Sequence, residues 1–200
     1  MASETRESVK NRLSLQDLIA AYGISDRLHR VRIKHDSSIA AMTVAQAVVQ
    51  TRYGVTVLGI ERRQHRRTMI IPAGAHTVLK AGDIIFMVDT AGELDRMLQA
   101  ERLEHLNIDS AYGEVAAREL GVAEVLLTPR STLIGQTLDK ARFRERYGLT
   151  VLGILRNGKP VEGNLVQTEL LFGDSMLVGG GWRQIELLQS ERANFSINIS

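Results

Sequence analysis

RYGVTVLGI, residues 52–60, returns as RYGLTVLGI at residues 146–154. Working outward from this pair, residues 36–60 laid over 130–154 are identical at 11 of 25 positions without a gap, Ser37/Ser131, Thr43/Thr137 and Ala47/Ala141 among them. Self-similarity at a fixed spacing marks a duplicated structural unit. The match resumes after connections of unequal length. Gly82-Asp83 before IIFMV corresponds to Gly173-Asp174 before SMLV, and MLQAER (97–102) corresponds to LLQSER (187–192).

Within each copy the signals run in a fixed order. LHRVRIK (28–34) and AEVLLT (123–128) alternate with strand period. Thr43 and Thr137 then suit the N-cap of a short helix, because a hydroxyl oxygen satisfies an orphan backbone N–H. Val44, Ala47 and Val48 fall on one helical face; Leu138, Ala141 and Phe143 keep part of that stripe. Gly54 and Gly148 supply the positive φ that ends the helix. In VTVLGI, Val55 and Val57 are expected on one face and Leu58 and Ile60 on the other, so the strand is central and covered on both sides. RNGKP (156–160) predicts a hairpin, and Gly-Asp opens the last strand. The unit reads β-α-β-β-β-α.

The expected layout is a lead-in at 1–27, a first unit at 28–99, a connector at 100–122, a second unit at 123–192 and a tail at 193–200. The connector is charged and reads as helical, with Leu103, Leu106, Val115 and Leu120 as anchors. The fold class is α+β: two tandem sandwich domains paired as an intramolecular pseudo-dimer.

Composition narrows the function classes. With 44% hydrophobic and 24% charged residues the chain is an ordinary folded protein. A formal charge of +2 leaves no global field for a phosphate backbone, so no nucleic-acid partner is expected. The absence of cysteine excludes disulfides and thiolate chemistry. The first thirty residues lack a signal-peptide layout, and no window reaches the roughly 18 apolar residues of a membrane helix. The sequons at Asn194 and Asn198 read as surface asparagines. The five histidines show no H-x-H or H-E-x-x-H spacing and there is no Gly-x-Ser-x-Gly elbow, so no enzyme, catalytic residue or metal site is expected.

Ser131-x-Leu133-x-Gly135-x-Thr137-Leu138, then Arg146-Tyr147-Gly148, VLGILRNG and FGDSMLVGG, resemble the TrkA C-terminal domain, also called the RCK C-terminal domain. Two copies in tandem, with the flanks SLQDLIAAYGISDRLHRVRI, VAEVLLTPRSTLIGQTL and ERANFSINI, resemble the soluble insert of sodium-coupled divalent-anion symporter permeases. The resemblance implies a regulatory, ligand-sensing module on the cytoplasmic face of the inner (plasma) membrane. Its implied partners are the membrane domain of a parent permease, a second copy as homodimer, and a small regulator. The alternative is a purely structural dimerisation module that binds nothing small. The first copy departs from the family pattern, with Ala41 where glycine is common and ERRQHRR at 61–67 where a short basic hairpin is expected.

The candidate ligand site is Arg130, Ser131, Leu133, Ile134 and Gly135 with Arg144 and Arg146. An apolar pair among small residues beside two guanidinium groups suits a nucleobase and a phosphate. The family resemblance implies a nucleotide or cyclic dinucleotide regulator there. Leu133 and Ile134 equally suit packing of one copy on the other. Asp83 and Asp174, each after glycine, read as turn residues. GGGW (179–182) reads as a tight strand-to-helix turn. ERRQHRR reads either as an anion contact or as a solvated hairpin.

Overall fold

The computed structural model describes residues 15–64, 67–107 and 120–199. Helix α1 (Leu15–Ala21) and a 3-10 turn at Ser25–Arg27 precede the first unit. That unit comprises β1 (Leu28–Ile33), α2 (Val44–Ala47), α3 (Val49–Tyr53), β2 (Val55–Gln64), β3 (Arg67–Pro72), β4 (Ile84–Asp89), α4 (Leu94–Ala100) and β5 (Leu103–Leu106). The second comprises β6 (Val122–Leu127), α5 (Phe143–Tyr147), β7 (Thr150–Arg156), β8 (Lys159–Pro160), β9 (Ser175–Gly179), α6 (Trp182–Ser190) and β10 (Phe195–Ile199). Both sheets are antiparallel and five-stranded, in the orders β3-β2-β4-β1-β5 and β8-β7-β9-β6-β10. Exchanging equivalent strands turns one order into the other, so the topology is duplicated along with the sequence.

The local signals act as their chemistry dictates. Thr43 forms a capping box with Gln46. Thr137 Oγ1 accepts from Lys140 N at 3.2 Å, but over turns rather than a helix. Val48 and Arg142, at equivalent positions, take left-handed φ values of 43° and 49°, so the helical stretch restarts at Val49 and at Phe143. Gly54 and Gly148 end those helices at φ 66° and 65°. Asn157 and Gly158, both at positive φ, make the predicted hairpin between β7 and β8.

Three expectations are corrected. Leu103–Leu106 is a strand on β1, not a helical continuation, because Arg102 turns the chain at φ 52°. Residues 195–199, read as a tail, are the matching fifth strand on β6. Ile60 shares the core of Val55 and Val57 rather than the opposite face. The reason is a bulge at Leu58, where the register against β4 shifts between Val57 and Gly59; β7 bulges identically at Leu152. Val115 lies outside the described residues.

Each sheet buries one face under its own helices. In the first unit Val31, Ile33, Val55, Val57, Ile60, Ile85 and Met87 pack against Val49, Tyr53, Leu94 and Met97. In the second, Val125, Leu127, Ile154, Met176 and Val178 pack against Phe143, Ile185 and Leu188, with Val151 beside them. The remaining faces meet each other. Leu18, Tyr22, Ile24 and Val88 bury with Leu152 and Leu177, and Phe86 with Leu120, while Leu58 touches both groups. Each side chain of this size withdrawn from water contributes about 2 kcal/mol before entropy.

Candidate functional site

The boundary between the units is built from crossed lead-ins. Tyr22-Gly23-Ile24 before β1 and Leu120-Gly121-Val122 entering β6 echo each other, with Gly23 and Gly121 at φ 62° and 66°. Each lead-in reaches across the boundary to the other unit's sheet. Tyr22 and Ile24 lie on Gly153 of β7, and Leu120 lies on Gly59 of β2. The glycine of each VLGI run is therefore the floor of a socket for the other unit's lead-in. The Tyr22 hydroxyl donates to Glu124 Oε1 at 2.8 Å and contacts Ser175 Oγ at 3.0 Å. Burial pushes its phenol pKa well up, with Ser175 opposing and Glu124 reinforcing. Tyr22, Leu120 and Glu124 were not singled out as functional from sequence; the YGI/LGV echo is the signal that finds Tyr22 and Leu120.

Each RYG motif latches its helix to the closing helix. Glu101, buried after α4, accepts from Tyr53 Oη at 2.6 Å, Arg52 Nη1 at 2.6 Å and Ser38 Oγ. Burial alone would raise this carboxyl, but the Ser38, Tyr53 and Arg52 contacts outweigh it and hold it below the usual range. Glu191 is the equivalent, contacting Arg146 Nη2 at 3.5 Å and Tyr147 Oη at 3.4 Å and accepting from Asn194 Nδ2 at 2.8 Å. Asn194 is buried, correcting its reading as a surface asparagine, because Thr132 N and Oγ1 both donate to its Oδ1.

The predicted site residues separate. Leu133 is a core residue at 1% exposure, and Ile134 packs against the same cluster. Ser131 Oγ accepts from Leu133 N, and the Gly135 N–H donates to the Leu170 carbonyl. Arg130 is exposed. Arg146 joins this loop through Glu191 and Asn194, and its guanidinium lies 5.1 Å from the Tyr147 ring centroid. Arg144 instead crosses the boundary, its Nη2 donating to the Val57 carbonyl at 3.4 Å. Burial lowers its pKa from the ordinary guanidinium value.

The two aspartates hold more than turns. Asp83 and Asp174 each accept a backbone N–H from three residues upstream and receive a two-pronged guanidinium, from Arg62 at 2.8 and 2.6 Å and from Arg156 at 2.9 and 2.8 Å. Arg62, counted in the basic hairpin, is thereby committed to its own unit. GGGW is the expected turn, with Gly181 as the cap of α6.

A family profile for the TrkA-C domain matches residues 28–100 and 122–191. The chain belongs to the TrkA-C domain family. Over 186 residues, 92% of its length, this TrkA-C pair is 32% identical to the uncharacterized transporter YfbS of Escherichia coli K12, of which it spans 30%. It is also 25% identical over 173 residues, 76% of its length, to the probable sodium/sulfate cotransporter 3 of Chlamydomonas reinhardtii, spanning 19% of that protein. Among solved structures it is similar to the RCK_C domain dimer of S. agalactiae BusR in complex with c-di-AMP, at 22% identity and TM-score 0.32, covering 38% of this chain and 96% of that one. The chain thus spans under a third of the curated relatives it matches, and no helix of its described residues is long and apolar enough to cross a membrane.

Proposed function

We propose that this TrkA-C pair is the cytoplasmic regulatory module of a membrane ion or anion transporter, modulating transport by rearrangement of its two units. The crossed lead-ins carry this reading. Because Leu18 of α1, with Tyr22 and Ile24 after it, is buried in one cluster with Val88 of the first unit and Leu152 and Leu177 of the second, any ligand that changes how the units sit on each other shifts α1. A ligand acts only through its preference for one arrangement, and driving the pair from 1:99 to 99:1 takes about a 10⁴-fold preference. The proposed regulator is a nucleotide or cyclic dinucleotide held by Arg130, Gly135 and Arg144 beside the 131–134 loop and Arg146, with a parent membrane domain and a second copy as partners. The units are taken as 28–99 and 123–192, each completed by its closing strand.

Calorimetry of the chain with ATP and with cyclic di-AMP tests this. Saturable binding that Arg144→Ala abolishes supports the sensor; flat titrations with both contradict it. One observation favours the structural alternative. Ser131, Leu133 and Arg146 are already engaged within the fold, which suits a module that holds transporter protomers together. Light scattering separates the two readings: a dimeric mass that persists while both titrations stay flat supports the second.

A further inference from the structure

His29 and His105 meet across β1 and the edge strand β5. His29 Nδ1 and His105 Nε2 stand 3.4 Å apart, with ring centroids 5.5 Å apart and planes tilted by 59°. That gap is long for an N–H···N hydrogen bond, whose heavy atoms prefer about 2.9–3.0 Å. It matches two imidazole nitrogens on one tetrahedral zinc ion, since Zn–N bonds of about 2.05 Å at the tetrahedral angle place the nitrogens about 3.35 Å apart. His105 is exposed on the sheet edge, so an ion reaches the pair directly, while the half-buried His29 ring is held by its strand.

We propose that His29 and His105 form a two-imidazole site for a borderline divalent ion of the Zn²⁺ class. Imidazole nitrogen is a preferred donor for such ions. Among the described residues no group of three or more His, Asp or Glu completes a closed set, so water fills the other positions. The nearby Asp89 is not a ligand, because its carboxylate accepts from the N–H groups of Ala91, Gly92 and Leu94 at 3.0, 2.8 and 3.1 Å. The bound ion cross-links the edge strand to the sheet where the chain leaves toward the second unit, fixing the start of the connection. Since neutral imidazoles are the ligands, binding releases protons and weakens in acid.

Calorimetric titration of the full chain with zinc chloride tests the site, read alongside imidazole ¹⁵N spectra. The expected result is one equivalent bound, with His29→Gln and His105→Gln each weakening it about tenfold or more. The double variant should bind more weakly than either single, because it removes both imidazole donors. His35→Gln and His76→Gln, both at exposed positions, should change nothing. In the unmodified protein zinc should shift His29 Nδ1 and His105 Nε2, a readout that needs no variant to fold. No binding at millimolar zinc, equal losses from His35 or His76, or shifts at other ring nitrogens would overturn the proposal.

Discussion

Tyr22, from the lead-in to the first unit, packs on Gly153 of the second, where an added Cβ would come within 3.0 Å of the Tyr22 Cδ1 atom. Leu120 makes the reciprocal contact on Gly59. Gly153→Val therefore overfills the socket even though valine suits a strand, and should cost about 1–3 kcal/mol in urea unfolding. Tyr22→Ala combined with Gly153→Val should recover part of that loss. If the double variant simply adds the two single losses, the residues are not in contact.

The Arg62–Asp83 and Arg156–Asp174 pairs make the same prediction in both units. Asp174 is fully buried and Arg156 about one-third exposed. Asp174→Ala strands the guanidinium and a backbone N–H, and should cost about 3 kcal/mol. Asp83→Ala should cost a similar amount. Denaturation monitored at the single tryptophan, which lies in the second unit, reports whether each loss stays local.

Glu101 makes the fold acid-sensitive. Its folded pKa is held below the ordinary value of 4.5, so the folded state binds fewer protons there than the unfolded chain. The stability it contributes is fully present above about pH 4.5 and is lost as pH falls through the lower folded value. Glu101→Gln should flatten the slope of stability against pH in this acid window while lowering stability at neutral pH. An unchanged slope would show that the latch is not ionised in the fold.

Ala41 occupies φ 70°, where its equivalent Gly135 sits at φ 80°. A Cβ in that region is strained, so Ala41→Gly should stabilise the first unit by about 1 kcal/mol, against the usual direction of an Ala-to-Gly change. Gly135→Ala should destabilise the second unit by a similar amount. Its Cβ meets no atom within 4 Å, so the effect isolates backbone strain from packing.

The repeat made most of the fold legible. Arg52, Tyr53 and Gly54 recur because a cation, a phenol and a left-handed cap are needed together to latch Glu101, and Arg146, Tyr147 and Gly148 repeat the set for Glu191. The fifth strands were hidden because LEHL is short, Leu103 and Leu106 fall at helical spacing, and the chain turns at Arg102 without a glycine. Ile60 was misplaced because a bulge changes strand parity without leaving a mark in the alternation. The candidate loop was only half legible. Its residue types suited a ligand, yet Leu133 goes to the core and Arg144 to the other unit, and such long-range commitments are set by tertiary packing.

The crossing of the lead-ins is tested most directly by nuclear Overhauser contacts in the isotope-labelled chain. Cross-peaks are expected from the Tyr22 ring to the Gly153 α-protons and from the Leu120 methyls to the Gly59 α-protons. Cross-peaks from Tyr22 to Gly59 and from Leu120 to Gly153, with each lead-in on its own unit, would contradict the crossing.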